Sequence, residues 1–531
     1  MRRSIRARSC SASGSISRRI LGSTLRRSRT GATHASPLLF SFPVAIWIFG
    51  TIIAATLERW WFPRAWDETG LPASRFYFGD TRAFLDYAAA LSAGERFDNG
   101  VPFHPPGWPL FLSMVFQVFG WSDDAPPDPL VIKHIAAGLS GISVGLAALL
   151  AHILSGRSAM MITSLLGIFH FGHMVQAAAP NSEPLYGLLI ILVLLGAVRQ
   201  RTPGWLLGVL AGFATLVRAE FILCASLLAL WLAFGQSGAR PVRRAAYFTL
   251  GFVLALLPTT ILNWRSIGEF NDTRADRMPG ALSRFAPVTG YGAFSFANAN
   301  HERADGGFNW DLPSLEPSDE EAERLLEGGA LDLSRPPVYR AYVDGYSMGA
   351  AWLVSNPAAA ISLFAKKLAI TLSVFDYGYL LDNVPSRIRG TRRPVDQIDL
   401  ETSWVTVAHM MLVVGGVWIA ATNPSAKVLL FPVVTLLAAS LLFFGYVRLG
   451  VAYLPVLWIL QALAVTRVLA VIPLGPRARR RMEFAVAGLV VVLLLTERYA
   501  AGRPRALMID GLVDESERLV EDQKIEIVRV R

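Results

Sequence analysis

The chain has 531 residues, 53% hydrophobic and 17% charged, with a mean hydropathy of +0.42, which is too apolar for a water-soluble protein of this length and makes the bilayer part of its solvent. The formal net charge of +10 does not indicate nucleic acid, because the basic excess lies in short flanks between apolar runs and reads as topology information. The only cysteines, Cys10 and Cys224, lie in a basic tail and inside an apolar run, which excludes a disulfide framework and a cysteine metal site.

Hydrocarbon leaves backbone N–H and C=O groups without water, and the apolar runs are continuous rather than alternating, so the expected fold is an all-α polytopic bundle and not a barrel. Residues 1–36 hold nine arginines between Arg2 and Arg29, with no acid before Glu58. They read as a disordered, cytoplasmic tail, and an over-long gene start explains them equally well. The run Pro37 to Leu57 is long enough to span and lacks a small-residue cleavage site, so it is an anchor, opening a membrane domain over 37–496.

Residues 58–129 form a first outer loop. Phe84, Tyr87, Ala88 and Leu91 recur at helical spacing, with Asp80 as N-cap and Gly94 as stop, which predicts an amphipathic helix on the membrane surface. Trp108 to Phe119, between Pro105-Pro106-Gly107 and the acids Asp123, Asp124 and Asp128, predicts a second interfacial helix. Spans follow near 130–154, 158–179, 183–198, 203–218, 219–234 and 243–264. Alternation then places Arg157, Arg199, Arg201, Arg240, Arg243 and Arg244 inside and Asn181, Glu183, Arg218 and Glu220 at the outer face, in agreement with the positive-inside rule.

Residues 265–401 make a second large outer region, polar and rich in Gly, Pro, Asn and Asp up to about 357. Within it, Lys366 and Lys367 interrupt an apolar helix over 358–376, which either dips into the interface or crosses. With the dip, later spans fall near 402–422, 427–446, 450–466 and 483–496, giving about eleven in all by the ~20-residue criterion. Residues 497–531 then form an extracytoplasmic tail, with a pattern over 523–531 that suits a short strand. His170 and His173, in an apolar helix without nearby acids, read as buried, hydrogen-bonded histidines rather than metal ligands.

Gly79-Asp80, Tyr87-Ala88-Ala89-Ala90-Leu91, Gly94 and Phe103-His104-Pro105-Pro106-Gly107-Trp108-Pro109-Leu110 resemble the first outer loop of GT-C glycosyltransferases. These include protein O-mannosyltransferases, lipid A aminoarabinose transferases and bacterial relatives that use polyprenyl-phosphate sugars. Further similar elements follow in order: Asn181-Ser182-Glu183-Pro184, Gly208 to Arg218, Leu257-Pro258 with Asn263, Gly290-Tyr291-Gly292 with Asn298, Asn300 and Gly306-Gly307, and Arg448 before Tyr453-Leu454-Pro455. The resemblance covers roughly residues 40–470.

It implies a transferase in the cytoplasmic membrane, with the N-terminus cytoplasmic and the site extracytoplasmic, in which an acceptor hydroxyl attacks the anomeric carbon of a polyprenyl-phosphate sugar with inversion. Expected partners are the lipid-linked donor, an envelope glycan, glycolipid or protein acceptor, and membrane lipids, with no nucleic acid. Asp80 matches the family's first-loop acid and is the expected base; as a helix cap it has a second role. Many relatives carry Asp-Glu here, whereas this chain has Asp80-Thr81, so a paired carboxylate or bound metal is not specified and a divalent cation stays a cofactor candidate only. Glu183 matches the second-loop acid, orienting acceptor or cation. Arg218 matches a lipid-phosphate contact, with Arg448, His104, Lys366 and Lys367 as further phosphate or headgroup contacts. Tyr291, Asn298 and Asn300 are candidates for touching sugar or acceptor. The competing readings are a transporter or lipid flippase without chemistry, and a lipid-linked glycan polymerase or ligase.

Overall fold

A computed structural model describes residues 42–67, 81–95, 101–121, 128–176, 181–235, 241–274, 280–307, 333, 336–375, 404–473, 475, 477–478 and 481–492. Asp80, the tail 1–36 and residues 497–531 lie outside them. The chain divides into two compact units, Met1–Trp47 and Ile48–Arg531; of the first, residues 42–47 are described and are helical.

Among the described residues the regular structure is helical throughout. In chain order the helices are α1 (Phe42–Asp67), α2 (Thr81–Ala93), α3 (Gly107–Phe119), α4 (Pro129–Ser155), α5 (Arg157–Phe169), α6 (Phe171–Gln176), α7 (Glu183–Val198), α8 (Gly204–Val217), α9 (Phe221–Leu230), α10 (Pro241–Arg274), α11 (Gly292–Ala299), α12 (Pro336–Ser355), α13 (Pro357–Leu372), α14 (Trp404–Thr422), α15 (Leu430–Leu442) and α16 (Val447–Val471). Five stretches are long and apolar enough to cross a membrane: Phe42–Trp61, Leu130–Ser155, Pro241–Thr273, Pro357–Phe375 and Val447–Val471. Along α10, Leu250, Leu254, Leu257, Ile261 and Trp264 are exposed. Such a wide apolar face turned outward is what lipid accommodates and water does not, so the chain has the build of a helical membrane protein.

The two helices expected within 58–129 form as the spacing predicts. Helix α2 ends at Gly94, whose φ of 76° suits glycine, and it buries Phe84, Leu85 and Ala88. Helix α3 buries Trp108, Leu112 and Phe116 on one side and packs against α2. Elsewhere the apolar runs and the helices differ. The run 158–179 breaks at His170, which is extended (φ −69°, ψ 113°), into α5 and the short α6. The 358–376 segment is helical through its lysines and is among the five long apolar stretches. Helix α10 continues past Asn263 to Arg274 because its polar side chains have partners. Asn263 Nδ2 donates to the carbonyls of Ala286 and Val288, and the Asn271 amide bonds both backbone groups of Leu282. Those bonds seat the 280–290 segment on α10, over a small core of Ile267, Phe270, Phe294, Tyr339 and Tyr342.

Two packing features bring these helices together. In α16, Leu454, Val456, Trp458, Ile459 and Leu460 are fully buried because α4, α5, α7, α13, α14 and α15 surround the helix. Helix α8 lies tightly on α10, since Gly204, Gly208 and Gly212 fall four residues apart and a Cβ on any of them would overlap α10 atoms of Arg244, Phe248 or Ala255. Small residues in this spacing let two helices approach in an apolar medium.

Candidate functional site

The segment Asn181-Ser182 leads into α7, whose first residue is Glu183 and whose second is Pro184, a residue suited to a helix start. A carboxylate in the first turn is favoured by the helix dipole, but Glu183 is fully buried and needs more than that. It receives it from two arginines. Arg218 closes α8 in extended conformation, and its Nη1 donates to Glu183 Oε1 at 2.8 Å. Arg448 stands in the first turn of α16, and its Nε lies 2.7 Å from the same oxygen. Arg218 Nε also donates to Glu220 Oε1 at 2.6 Å. One buried carboxylate oxygen is thus shared by two guanidinium groups, an arrangement of charge-assisted bonds about twice as strong as neutral ones.

The arginine side chains are 16% and 19% exposed, against 0% for Glu183. The carboxylate is therefore the base of the cluster and the guanidinium groups its outer surface. Below them Tyr186 and Tyr453 share a hydroxyl–hydroxyl bond of 2.8 Å, and the Tyr186 ring lies 5.8 Å from the Arg218 guanidinium carbon. Two buried polar atoms at the start of α7, Glu183 Oε2 and Asn181 Nδ2, have no hydrogen-bond partner among the described residues. Asn181 is held through its other amide atom, Oδ1, which accepts from the Thr81 hydroxyl at 2.5 Å. The start of α2 and the start of α7 are thereby joined.

The His104 segment borders the same place. A Cβ on Gly107 would overlap the backbone of Leu216 and Val217, so glycine is required where the first loop crosses the end of α8, immediately before Arg218. His104 is buried with its ring against Phe84 and Phe103, at centroid distances of 5.3 and 4.6 Å. Phe103 also meets the Tyr291 ring at 4.7 Å, and Gly290 N donates to Pro102 O. The segments 102–104 and 290–291 therefore touch.

The other candidates divide. Lys366 is exposed, whereas Lys367 is fully buried and donates to Asn300 Oδ1 at 2.8 Å and Leu441 O at 3.2 Å. Asn300 in turn donates to Phe296 O and Leu442 O. Asn298 is fully buried on α11. Glu183, Arg218 and Arg448 thus converge, His104 and Tyr291 flank one aromatic ring, and Asn300 and Lys367 form a separate pair. Asp80 lies outside the described residues.

No three His, Cys, Asp or Glu side chains among the described residues converge as metal ligands, and the bonding oxygen of Glu183 is already taken by two cations. Among the described residues, which leave out Asp80, the donor set does not fit a divalent cation. Sequence reasoning left out Glu220 and Tyr186 as members of the cluster. Their signals were the Arg218-Ala219-Glu220 spacing and a tyrosine one helical turn after Glu183. It also missed two buried cations, Arg59 on α1 and Lys133 on α4. No family model matches the chain, and no curated protein matches it.

Proposed function

We propose that the chain transfers a sugar, with inversion, from a polyprenyl-phosphate donor to a hydroxyl of a glycan, lipid or protein acceptor. In this reading it is a GT-C-like enzyme of the cytoplasmic membrane, with about eleven spans by the ~20-residue criterion, a cytoplasmic N-terminus and an extracytoplasmic site. The observation that carries the reading is the meeting of Arg218 and Arg448 on the buried Glu183 carboxylate, with both arginine side chains partly exposed.

In the reaction the acceptor oxygen bonds to the anomeric carbon as the bond from that carbon to the phosphate oxygen breaks. The leaving group is a phosphomonoester with a second pKa of about 6, so it departs as an anion without a general acid. What remains to be supplied is a base for the acceptor proton and fixed cations for the developing phosphate charge. Asp80 is assigned the base. Arg218 and Arg448 are assigned the phosphate, for which the planar guanidinium fork is suited. Glu183, engaged by both of them, holds the pair in register, a different task from orienting the acceptor. Lys366, His104, Tyr291 and Asn298 belong to the surrounding contacts with headgroup, sugar or acceptor.

The test is single-turnover release of polyprenyl phosphate from radiolabelled polyprenyl-phosphate sugars by the purified protein in nanodiscs, with envelope extract as acceptor. Wild type is expected to release it, and Asp80→Asn to fall by ~10²-fold or more. An Asp80→Asn protein with full activity removes the base assignment. A transporter or lipid flippase is the second reading; binding of the lipid without any release would select it.

A further inference from the structure

We infer that Lys367 is a positioning residue, whose ammonium pins the turn between α15 and α16 and so sets the Arg448 guanidinium on Glu183. The inference rests on the transfer reading for the choice of probe lipid, and it assigns Lys367 a task other than touching the donor.

Three pieces of chain meet at this lysine. The first is α13 itself, where Lys367 is 0% exposed. The second is the loop after α11: Asn300 Oδ1 accepts from Lys367 Nζ, and Gly306 O accepts from Gly445 N at 2.8 Å. The third is the end of α15, where Leu441 O accepts from Nζ and Leu442 O from Asn300 Nδ2. One turn along α13, Thr371 Oγ1 donates to Ser440 Oγ at 2.9 Å and repeats the tie. Gly445 lies directly on the Lys367 backbone, where a Cβ would overlap it.

After α15 ends at Leu442 the chain is non-helical until α16 starts at Val447. Arg448 therefore follows the pinned segment by a few residues, each spanning at most ~3.5 Å. A shift of the pin is delivered to Arg448 with little slack, because Glu183 and the buried face of α16 fix the other side. The residue type supports a task of this kind. Among the described residues no carboxylate pairs with Lys367, and a charged side chain in an apolar helix is costly. Methionine would fill the space more cheaply. An ammonium instead offers three donors on one atom, which lets a single side chain bond the loop and the end of α15 together.

The experiment uses the full chain in nanodiscs, with polyprenyl phosphate as the probe, and compares wild type, Lys367→Met, Arg448→Ala and the double variant. Arg448→Ala is expected to weaken binding about tenfold or more, as for one lost charge-assisted bond. Lys367→Met should weaken it by a comparable factor, and the double variant should bind no worse than Arg448→Ala alone, because both changes act on one group. Lys367→Arg, which keeps a cation with several donors, should restore binding. Amide hydrogen exchange at 443–448 should rise in Lys367→Met and return in Lys367→Arg. Wild-type binding and exchange in Lys367→Met overturn the inference, and so do losses that multiply in the double variant. If Lys367→Met does not fold, Asn300→Ala carries the same expectations with smaller effects. If wild type does not bind the lipid, the transfer reading falls while the exchange at 443–448 still decides the pin.

Discussion

Two arginine environments in this molecule have opposite characters. Arg59, on α1, is 0% exposed and spends its donors on neutral groups: Nε on Ser140 Oγ, Nη1 on Ala55 O, and Nη2 on Gly167 O and His173 Nδ1, at 2.7 to 3.0 Å. Among the described residues the carboxylate nearest to pairing with it is Glu58, at 3.9 Å. Because arginine is a donor alone, the His173 Nδ1 it meets must be the accepting nitrogen. The bonds join α1 to α4, to α5 and to α6, so Arg59 staples helices together and keeps nothing for a ligand. Arg218 and Arg448 are held from below by a buried carboxylate and stay partly exposed above it. The same side chain thus builds structure where it is buried among neutral acceptors, and builds a candidate site where carboxylates hold it and it stays partly exposed.

The change expected to disturb this contrast most is Arg59→Met. It removes all four of these hydrogen bonds and leaves Ser140 Oγ and His173 Nδ1 with their mutual bond of 3.2 Å, and it should lower stability by about 3 kcal/mol. Thermal unfolding in detergent or nanodiscs reads this, with transfer per folded molecule staying within about twofold. Normal unfolding combined with a large loss of turnover would move Arg59 from the staple to the chemistry.

Glu183→Gln tests the other side and should act mainly on rate. The amide keeps an oxygen toward the arginines but turns two charge-assisted bonds into weaker ones, loosening both guanidinium groups. Single-turnover transfer should drop by ~10- to 100-fold, as expected for misplacing groups that stabilise charge in the transition state. Unchanged transfer would show that the arginines need no carboxylate to be in place.

The parts of this arrangement that sequence makes readable are those carried by local pattern. Apolar runs announce the helices, Gly94 announces the end of α2, and the order of short motifs singles out Glu183, Arg218 and Arg448. Their meeting is not local. It depends on the glycine row of α8 seating that helix on α10, and on the helices that close around α16. Helix lengths escape the pattern where polar groups find partners distant in the chain. Lys367 stays helical because Asn300 and Leu441 receive its ammonium, and α10 runs on because Asn263 and Asn271 bond a distant loop. Arg59 is hidden by its place at the end of an apolar run, where a charge reads as the start of a loop. Helix α1 in fact continues to Asp67.

The smallest effects should come from the tyrosines beneath the cluster, and they decide whether it ends there. Tyr186 and Tyr453 are fully buried and their hydroxyls bond each other. Tyr453→Phe leaves the Tyr186 hydroxyl alone in the interior, and Tyr186→Phe does the reverse, so each should lower stability by about 1–2 kcal/mol. Replacing both removes the donor and the acceptor together, and the double phenylalanine variant should recover most of the loss, since a matched apolar pair strands no polar group. Neither ring is lost, so the contact under Arg218 persists and transfer should change by less than about fivefold. Unfolding free energies of the four proteins supply the cycle. Losses that simply add would mean that the hydroxyls serve something besides each other, and the site would then extend one layer deeper than the arginines.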